Sequence, residues 1–234
     1  MGECKRGYVP TDEKEFNPEK QMLLRKAQQD ILYLLEQGYP IKGASTFVGN
    51  HFMLSERQRL AIVRATAQKT TIEMRRRKLL LKDAIGKKVV VDGLNLIITL
   101  EVALSNSTLI RCMDGTIRDL AGLRGTYRII DKTEDAIRLI GDKLAGYKIE
   151  EVKFYLDAPV SNTGRLKQKI REILTGYPYQ VTVELVNNPD VVLEKLGNVI
   201  TGDAIILNKC ESWINLAADI IDENLVGLEC VDLS

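Results

Sequence analysis

The sequence predicts an α/β protein: a doubly wound, mainly parallel sheet in a Rossmann-like three-layer arrangement, preceded by a small all-α N-terminal domain. From Lys87 onward, short apolar runs alternate with amphipathic stretches of helical period. Strands separated by helices imply parallel pairing with right-handed crossovers. Before residue 82 the apolar residues recur instead at helical spacing. Charge divides the chain at the same place. Residues 1–88 hold 18 Lys and Arg against 10 Asp and Glu, and the remainder holds 15 against 22, beneath a net charge of only +1 over 234 residues. A basic segment joined to an acidic one points to a polyanion-binding module beside a cation-binding module.

Residues 1–16 are polar and are expected to be poorly ordered. A helical basic domain is expected over 17–82. Asn17 can cap its first helix, Pro18 suits the first turn and Glu19 favours the positive end. Met22, Leu23, Ala27, Ile31, Leu34 and Leu35 share one face, and Gly38 followed by Pro40 ends the helix. Ser55-Glu56-Arg57-Gln58 has the spacing of a capping box, and the helix behind it carries Arg57, Arg59 and Arg64. The cluster Arg75-Arg76-Arg77-Lys78 follows.

The α/β domain is expected over 87–234, with strands at 88–92, 108–113, 151–156, 180–186, 198–201 and 226–231. Helices are expected at 95–105, 132–145, 163–175, 189–196 and 211–224. Asp131 to Glu134 has capping-box spacing, and Asn188-Pro189 repeats the start signal of the first helix.

Composition removes several chemistries. His51 is the only histidine, which nearly excludes a histidine-based zinc site or a Ser-His-Asp triad. Cys4, Cys112, Cys210 and Cys230 are scattered without a C-x-x-C pair and read as reduced thiols. Any metal would be held by carboxylates, which favours Mg2+ or Mn2+. No run approaches the roughly 18–20 apolar residues of a membrane helix. The opening MGECKRGYVPTDEKEF lacks the apolar core of a signal peptide, so no membrane partner and a cytoplasmic location are expected. There is no G-x-x-x-x-G-K-[ST] loop, no G-x-G-x-x-G after the first strand and no G-x-S-x-G elbow.

The strand ends carry acids. VVVDGLN puts Asp92 directly after a run of valines, KFYLDAPVS puts Asp157 after a second strand, TLIRCMDG places Asp114 and NVITGDAI places Asp203. A doubly wound sheet gathers its strand carboxyl ends along one edge, where ligands bind. Two carboxylates about 5 Å apart repel by roughly 3 kcal/mol at an effective dielectric near 20. A divalent cation relieves that repulsion, can polarise a phosphoryl oxygen and can lower the pKa of an attacking water. The alternative is that each Asp only caps a helix or shapes a turn. DGTIRDLAGLRGTYR holds Asp114 and Asp119 with Arg118, Arg124 and Arg128, either as a phosphate clamp or as a loop whose arginines pair with its own acids. Ser161-Asn162-Thr163 before Arg165 opens a helix near Asp157, as an anion seat or as simple capping.

VVVDGLN is similar to the first strand of PIN-like and NYN-like nucleases, and NNPDVVLEKLGNVITGDAIILNK resembles the closing half of the PIN pattern. Through GYPIKGASTFVGNHFMLSERQR the whole chain resembles an uncharacterised prokaryotic two-domain family, with a small helical domain before a PIN-like domain. The resemblance implies that Asp92, Asp190 and Asp203 are metal ligands, with Asn95 close behind the first. It also implies a second acid within a helix, for which Glu101, Asp114 and Asp119 are all open.

The function expected is a Mg2+- or Mn2+-dependent nuclease acting by preference on RNA. Its catalytic and metal-binding acids would be Asp92, Asp157, Asp190, Asp203 and Asp114, with Asp119 as a further ligand. Its nucleic-acid contacts would be Asn95, Arg118, Arg124, Arg128, Arg165, Arg57, Arg59, Arg75, Arg76 and Arg77. The alternatives are a non-catalytic nucleic-acid or nucleotide-binding protein, and a scaffold whose acids are structural. Formation of a homo-oligomer is left open.

Overall fold

The computed structural model describes residues 4–122 and 125–234. The N-terminal helices are α1 Asp12–Glu15, α2 Pro18–Glu36, α3 Ile41–His51, α4 Glu56–Ala65 and α5 Lys69–Lys78. The capping signals of α2 and α4 are used as written, whereas Asp131, expected to open a capping box with Glu134, makes no side-chain cap bond. The Asn17 side chain accepts a hydrogen bond from the Lys20 amide at 2.9 Å, and Ser55 and Gln58 form both bonds of a capping box.

After a single 3-10 turn, the α/β unit runs β1 Lys88–Asp92, α6 Gly93–Leu104, β2 Leu109–Arg111, β3 Ile117–Asp119, α7 Lys132–Gly146 and β4 Glu151–Asp157. It continues through α8 Thr163–Leu174, β5 Gln180–Val186, α9 Pro189–Leu193, β6 Val199–Ile200 and α10 Ala204–Lys209. β7 Trp213–Ile214, α11 Leu216–Asn224 and β8 Val231–Asp232 complete it.

The main sheet has the order β5-β4-β1-β6-β7, and every pairing in it is parallel. The chain starts in the middle with β1 and winds outward through β4 and β5. It then returns to lay β6 and β7 on the other side. The direction of winding therefore reverses between β1 and β6, and the carboxyl end of that junction is where such sheets bind ligands. Alternation along the strands builds the layers. Val89 and Val91 enter the larger core with α6, α7, α8 and α11, whereas Val90 packs with Leu193, Val199, Ile206 and Trp213 on the opposite face. In β4 the residues Val152, Phe154 and Leu156 join the first core and Tyr155 the second.

Two expected strands belong elsewhere. The segment 108–113 contributes β2 to a separate three-stranded sheet of order β3-β2-β8, and of 226–231 only Val231 is strand, at the start of β8, the residues before it forming turn and loop. That sheet joins the two halves of the molecule, because Leu109 faces the α/β core while Ile110 and Val231 pack among Leu24, Ile31, Val48 and Ile62 of the helical segment. The short strands β3 and β7 were not expected. The helix expected from 211 begins only at Leu216, since Trp213 and Ile214 add the last strand to the main sheet.

The segment expected to be poorly ordered is folded over its described residues, from Cys4 on. Asp12 is buried against Arg57, and Arg6 donates to Glu101 at 2.8 Å while lying over the Tyr127 ring. Ion pairs reaching into distant helices hold a segment that has few apolar residues of its own. Among the described residues no helix is long and apolar enough to cross a membrane, and all four cysteines are free thiols.

Candidate functional site

β1 delivers Asp92 to the carboxyl edge of the sheet, where the residue is 6 % exposed. Asp92 stands at the start of α6 without capping it, and its Oδ2 accepts a hydrogen bond from Thr201 Oγ1 at 2.8 Å. The same Thr201 oxygen accepts from the Asp203 amide at 3.0 Å. Asp203 Oδ1 accepts from the Ile205 and Ile206 amides, which makes this acid the cap of α10. Asn95 Oδ1 accepts from the Gly202 amide at 2.9 Å and ties the first turn of α6 to the same loop. Asp157 ends β4, and Asp190 lies in the first turn of α9, a helix capped by Asn188.

The glycine after Asp92 has a specific cause. A Cβ at Gly93 would lie 2.6 Å from Leu156 Cδ2 and 3.1 Å from the Tyr155 carbonyl oxygen, because α6 leaves the sheet directly against β4. Gly93→Ala is therefore expected to cost about 1–3 kcal/mol of stability through overpacking. Urea unfolding of parent and variant measures it, and an unchanged midpoint would show that the turn has slack.

Asp92, Asp157, Asp190 and Asp203 line one cleft of about 530 Å3, together with Asn95, Asp119, Thr66 and three arginines. Burial pushes the Asp92 carboxyl up to about 7, with Asp203, Asp190 and Asp157 adding to the rise and the Thr201 bond opposing it. Asp157 and Asp190 are also raised, first by burial and then by Asp190 and Asp203 respectively. The four groups thus feel one another, and a divalent cation with hard oxygen preference would lower the energy of all of them. As they stand, among the described residues, no three acid, histidine or cysteine side chains form a closed ligand group. Carboxylate oxygens are the donors that Mg2+ and Mn2+ take.

Of the other candidate acids, Asp114 and Glu101 lie outside the cleft lining and are engaged elsewhere, which corrects the role expected of Asp114. Asp114 is 4 % exposed and its Oδ2 accepts from both Arg75 and Arg118 at 2.6 Å, while its Oδ1 accepts from the Thr116 amide and hydroxyl. Burial opposes its ionisation, but Arg118, Thr116 and Arg75 outweigh that and hold the carboxyl below its ordinary range. With both oxygens committed, Asp114 anchors arginines and is not a free ligand. Glu101 is fully buried and accepts from Tyr127, Thr133 and Arg6. It lies two turns along α6 from Asp92 and outside the cleft. Asp119 does line the cleft, with Oδ2 taken by Thr99 at 3.0 Å and Oδ1 by the Ala121 amide at 2.8 Å.

The expected phosphate-binding arginines separate into three groups. Arg75 and Arg118 are buried, and besides Asp114 they donate to Asn208 and to the Gly202 carbonyl respectively, so Arg75 fastens α5 to α10 and Arg118 fastens β3 to the loop that carries Asp203. Arg57 pairs with Asp12 at 2.7 Å, and Arg59 donates to the Leu54 carbonyl and to Asn50. Arg76, Arg77, Arg128 and Arg165 are exposed and lie outside the cleft lining. Arg124 lies outside the described residues.

Thr201 and Arg64 belong to the site and were not singled out as functional. Thr201 stands in the Thr-x-Asp ending that marked Asp203. Arg64 lies in the cleft wall 3.5 Å from Asp119, and only the fold brings those residues together. Thr66 gave no sequence signal. Its hydroxyl is buried at the cleft without a hydrogen-bond partner among the described residues.

The family model DUF5616, described as a domain of unknown function, matches residues 81–219. A second, DUF434, described as a protein of unknown function, matches residues 23–78. The two models divide the chain at the junction between the helical segment and β1. A relative from Methanocaldococcus jannaschii, described as "Uncharacterized protein MJ0935", is 37 % identical over 209 residues, which cover 89 % of this chain and 99 % of that protein. No solved structure matches.

Proposed function

The chain belongs to the DUF5616 family, and from the site described above we propose that it is a metal-dependent nuclease that hydrolyses phosphodiester bonds, by preference in RNA. One observation carries the reading: four aspartates from four separate loops and strand ends meet at the switch point of a parallel sheet, with the buried one pushed up to about 7. The PIN-like resemblance of VVVDGLN and of the Thr-x-Asp ending supports the same reading, and the preference for RNA rests on it alone.

Asp92, Asp157, Asp190 and Asp203 would hold Mg2+ or Mn2+, which when bound supplies charge stabilisation for a phosphoryl oxygen and a lowered pKa for the attacking water. Thr201 orients the Asp92 carboxylate. The α10 cap fixes Asp203, and the Arg118 and Asn95 bonds to Gly202 hold the loop between them. These contacts set the acids in place before substrate arrives.

The test is single-turnover cleavage of end-labelled single-stranded RNA and DNA in Mn2+ or Mg2+, with Asp92→Asn as the matched control. Parent cleavage that chelation abolishes, reduced about 100-fold or more in the variant, is expected. One second reading is a fold that binds nucleic acid or nucleotide without cutting it, favoured by Asp203 Oδ1 already being engaged by the Ile205 and Ile206 amides. Metal and nucleic-acid binding with no cleavage of either polymer would select that reading.

Of the basic cluster, Arg76 and Arg77 are exposed and would meet a backbone, Arg76 exchanging a 3.3 Å bond to the Met113 carbonyl, whereas Arg75 is buried. Arg76→Ala with Arg77→Ala should weaken RNA binding similarly across sequences. It should also reduce the slope of log K against log salt by about 1–2. Binding titrations in the Asp92→Asn background measure this, and an unchanged slope would remove the two residues from the interface.

A further inference from the structure

A groove of about 430 Å3 adjoins the aspartate cleft on the side of the helical segment, between the turn from α2 to α3, the end of α4 and the start of α5. Val63, Thr66 and Arg75 line both hollows, so the two meet across these side chains.

The groove differs from the cleft in charge. Five aspartates line the cleft, whereas the groove lining holds no acid among the described residues. Lys42 and Lys69 are exposed beside the lining residues Ile41 and Gln68, and Glu36 is turned onto the Lys69 amide at 2.8 Å. Such a wall does not repel a polyanion, as the metal-free cleft would.

Tyr39 stands in this wall. Helix α2 ends in a Schellman motif, in which the amide of Gly38, at φ +85°, donates to the Leu35 carbonyl and the Tyr39 amide to the Leu34 carbonyl at 3.1 Å. Pro40 then fixes the entry to α3. The backbone is thus held on both sides of Tyr39. A side chain at this place of the motif commonly packs back on its own helix, yet Tyr39 is 58 % exposed and lines the groove. A ring that is held in place and left bare is what stacking of a nucleobase requires. Gln68 and Asn208 line the same groove. Gln68 Nε2 donates to the Leu35 carbonyl at 2.6 Å, and Asn208 Oδ1 accepts from Arg75 at 2.8 Å. That leaves an amide oxygen on the first and an amide nitrogen on the second without a partner among the described residues. One acceptor and one donor suit the mixed edge of a base.

We propose that this groove is a base-binding subsite of the aspartate cleft, taking an unpaired nucleotide that flanks the scissile phosphate, with its base stacked on Tyr39. The subsite rests on the nuclease reading for the place of that phosphate. It selects a single strand, because a base inside a duplex has no free face to offer the ring.

The test uses the full chain carrying Asp92→Asn, so that RNA stays intact, and a short single-stranded RNA with one 5-iodouridine placed at each position in turn. Irradiation should join one position to Tyr39, read by mass spectrometry of the peptide. In anisotropy titrations Tyr39→Ala should weaken binding about 5- to 100-fold at unchanged Tm. Tyr39→Phe should keep the affinity, and Phe47→Ala, an exposed aromatic outside the groove lining, should leave it unchanged. An RNA abasic at the crosslinked position should bind equally with and without the Tyr39 ring. Absence of a crosslink to Tyr39, an equal loss in Phe47→Ala, or an equal Tyr39 dependence for duplex RNA overturns the proposal. Metal-dependent cleavage with KM unchanged by Tyr39→Ala, in a chain that keeps Asp92, overturns the subsite and leaves the nuclease reading standing. Crosslinking and Tyr39-dependent binding without cleavage would keep the base site and remove the catalytic reading instead.

Discussion

Asp114→Ala is expected to destabilise the metal-free protein by about 3–5 kcal/mol, because it leaves two guanidinium groups buried without their counter-charge. Arg75 and Arg118 both end on the same Asp114 oxygen, and each is at most 9 % exposed. Burial already lowers the Arg75 pKa, and Asp114 is the main opposing influence. The effect should reach the cleft as well, since Arg118 donates to the Gly202 carbonyl at 2.7 Å, next to Asp203. Urea unfolding followed by circular dichroism in chelator measures the loss. Were Asp114 a metal ligand instead, the chelated protein would unfold at the parent midpoint and only the metal-induced gain would shrink.

Asp92→Asn is expected to act in the opposite direction on the metal-free protein. Asp92 titrates near 3.8 in an unfolded chain and at about 7 in the fold. Between those values the folded protein holds a proton that the unfolded chain has released. The Asp92 contribution to stability is therefore fully present below pH 4, falls as the pH rises toward 7, and is lost above it. At about 1.4 kcal/mol per pH unit that loss reaches up to about 4 kcal/mol. Asparagine cannot ionise and can still accept the Thr201 bond. The variant should consequently match the parent near pH 4 and exceed it at pH 8 in chelator, by up to about 4 kcal/mol.

Divalent metal should reverse the ranking. Saturation at about 100 times Kd adds roughly 2.7 kcal/mol to a protein that binds only when folded, and the variant should gain little of this. Metal affinity of the parent should rise between pH 6 and 8, as the ion displaces the Asp92 proton. Thermal melts across pH, with and without Mn2+, test all three points, and equal metal shifts in parent and variant would remove Asp92 from the ligand set.

The parts of the fold that were legible in the sequence are those in which local pattern and tertiary role agree. The run Val89–Val91 sits between two apolar layers and is apolar throughout, so its strand is visible directly, and the acid that ends it marks the edge of the sheet. Asn17, Ser55 and Asn188 cap helices through bonds three residues long, which a linear reading can see. β3 is three residues long and β7 two, too short for periodicity to register. The membership of β2 and β8 in a second sheet follows from packing against helices α2 to α4, which no local signal announces.

The candidate site divides along the same line. Asp92, Asp157 and Asp203 were legible because each follows a strand, and Asp190 through the resemblance to the PIN pattern; topology then brings them to one edge. Asp114 follows a strand too, but β2 is not in the main sheet, and its carboxylate meets an arginine 39 residues earlier in the chain. The basic cluster at 75–78 looks uniform as sequence. The helix turns Arg75 inward and Arg76 and Arg77 outward, so one cluster holds a buried brace and two exposed cations. Thr66 gave no sign at all, because an unpaired hydroxyl is a property of its surroundings and not of its neighbours in the chain.

The most direct test of the central claim is an anomalous difference map from a crystal of the full chain soaked in Mn2+. One or two peaks are expected in the cleft, contacted by carboxylate oxygens of Asp92, Asp157, Asp190 and Asp203 at about 2.0–2.6 Å. The same soak of Asp92→Asn should weaken or remove them. A map without a peak at these four residues, or with manganese on Asp114 or Glu101 instead, would contradict it.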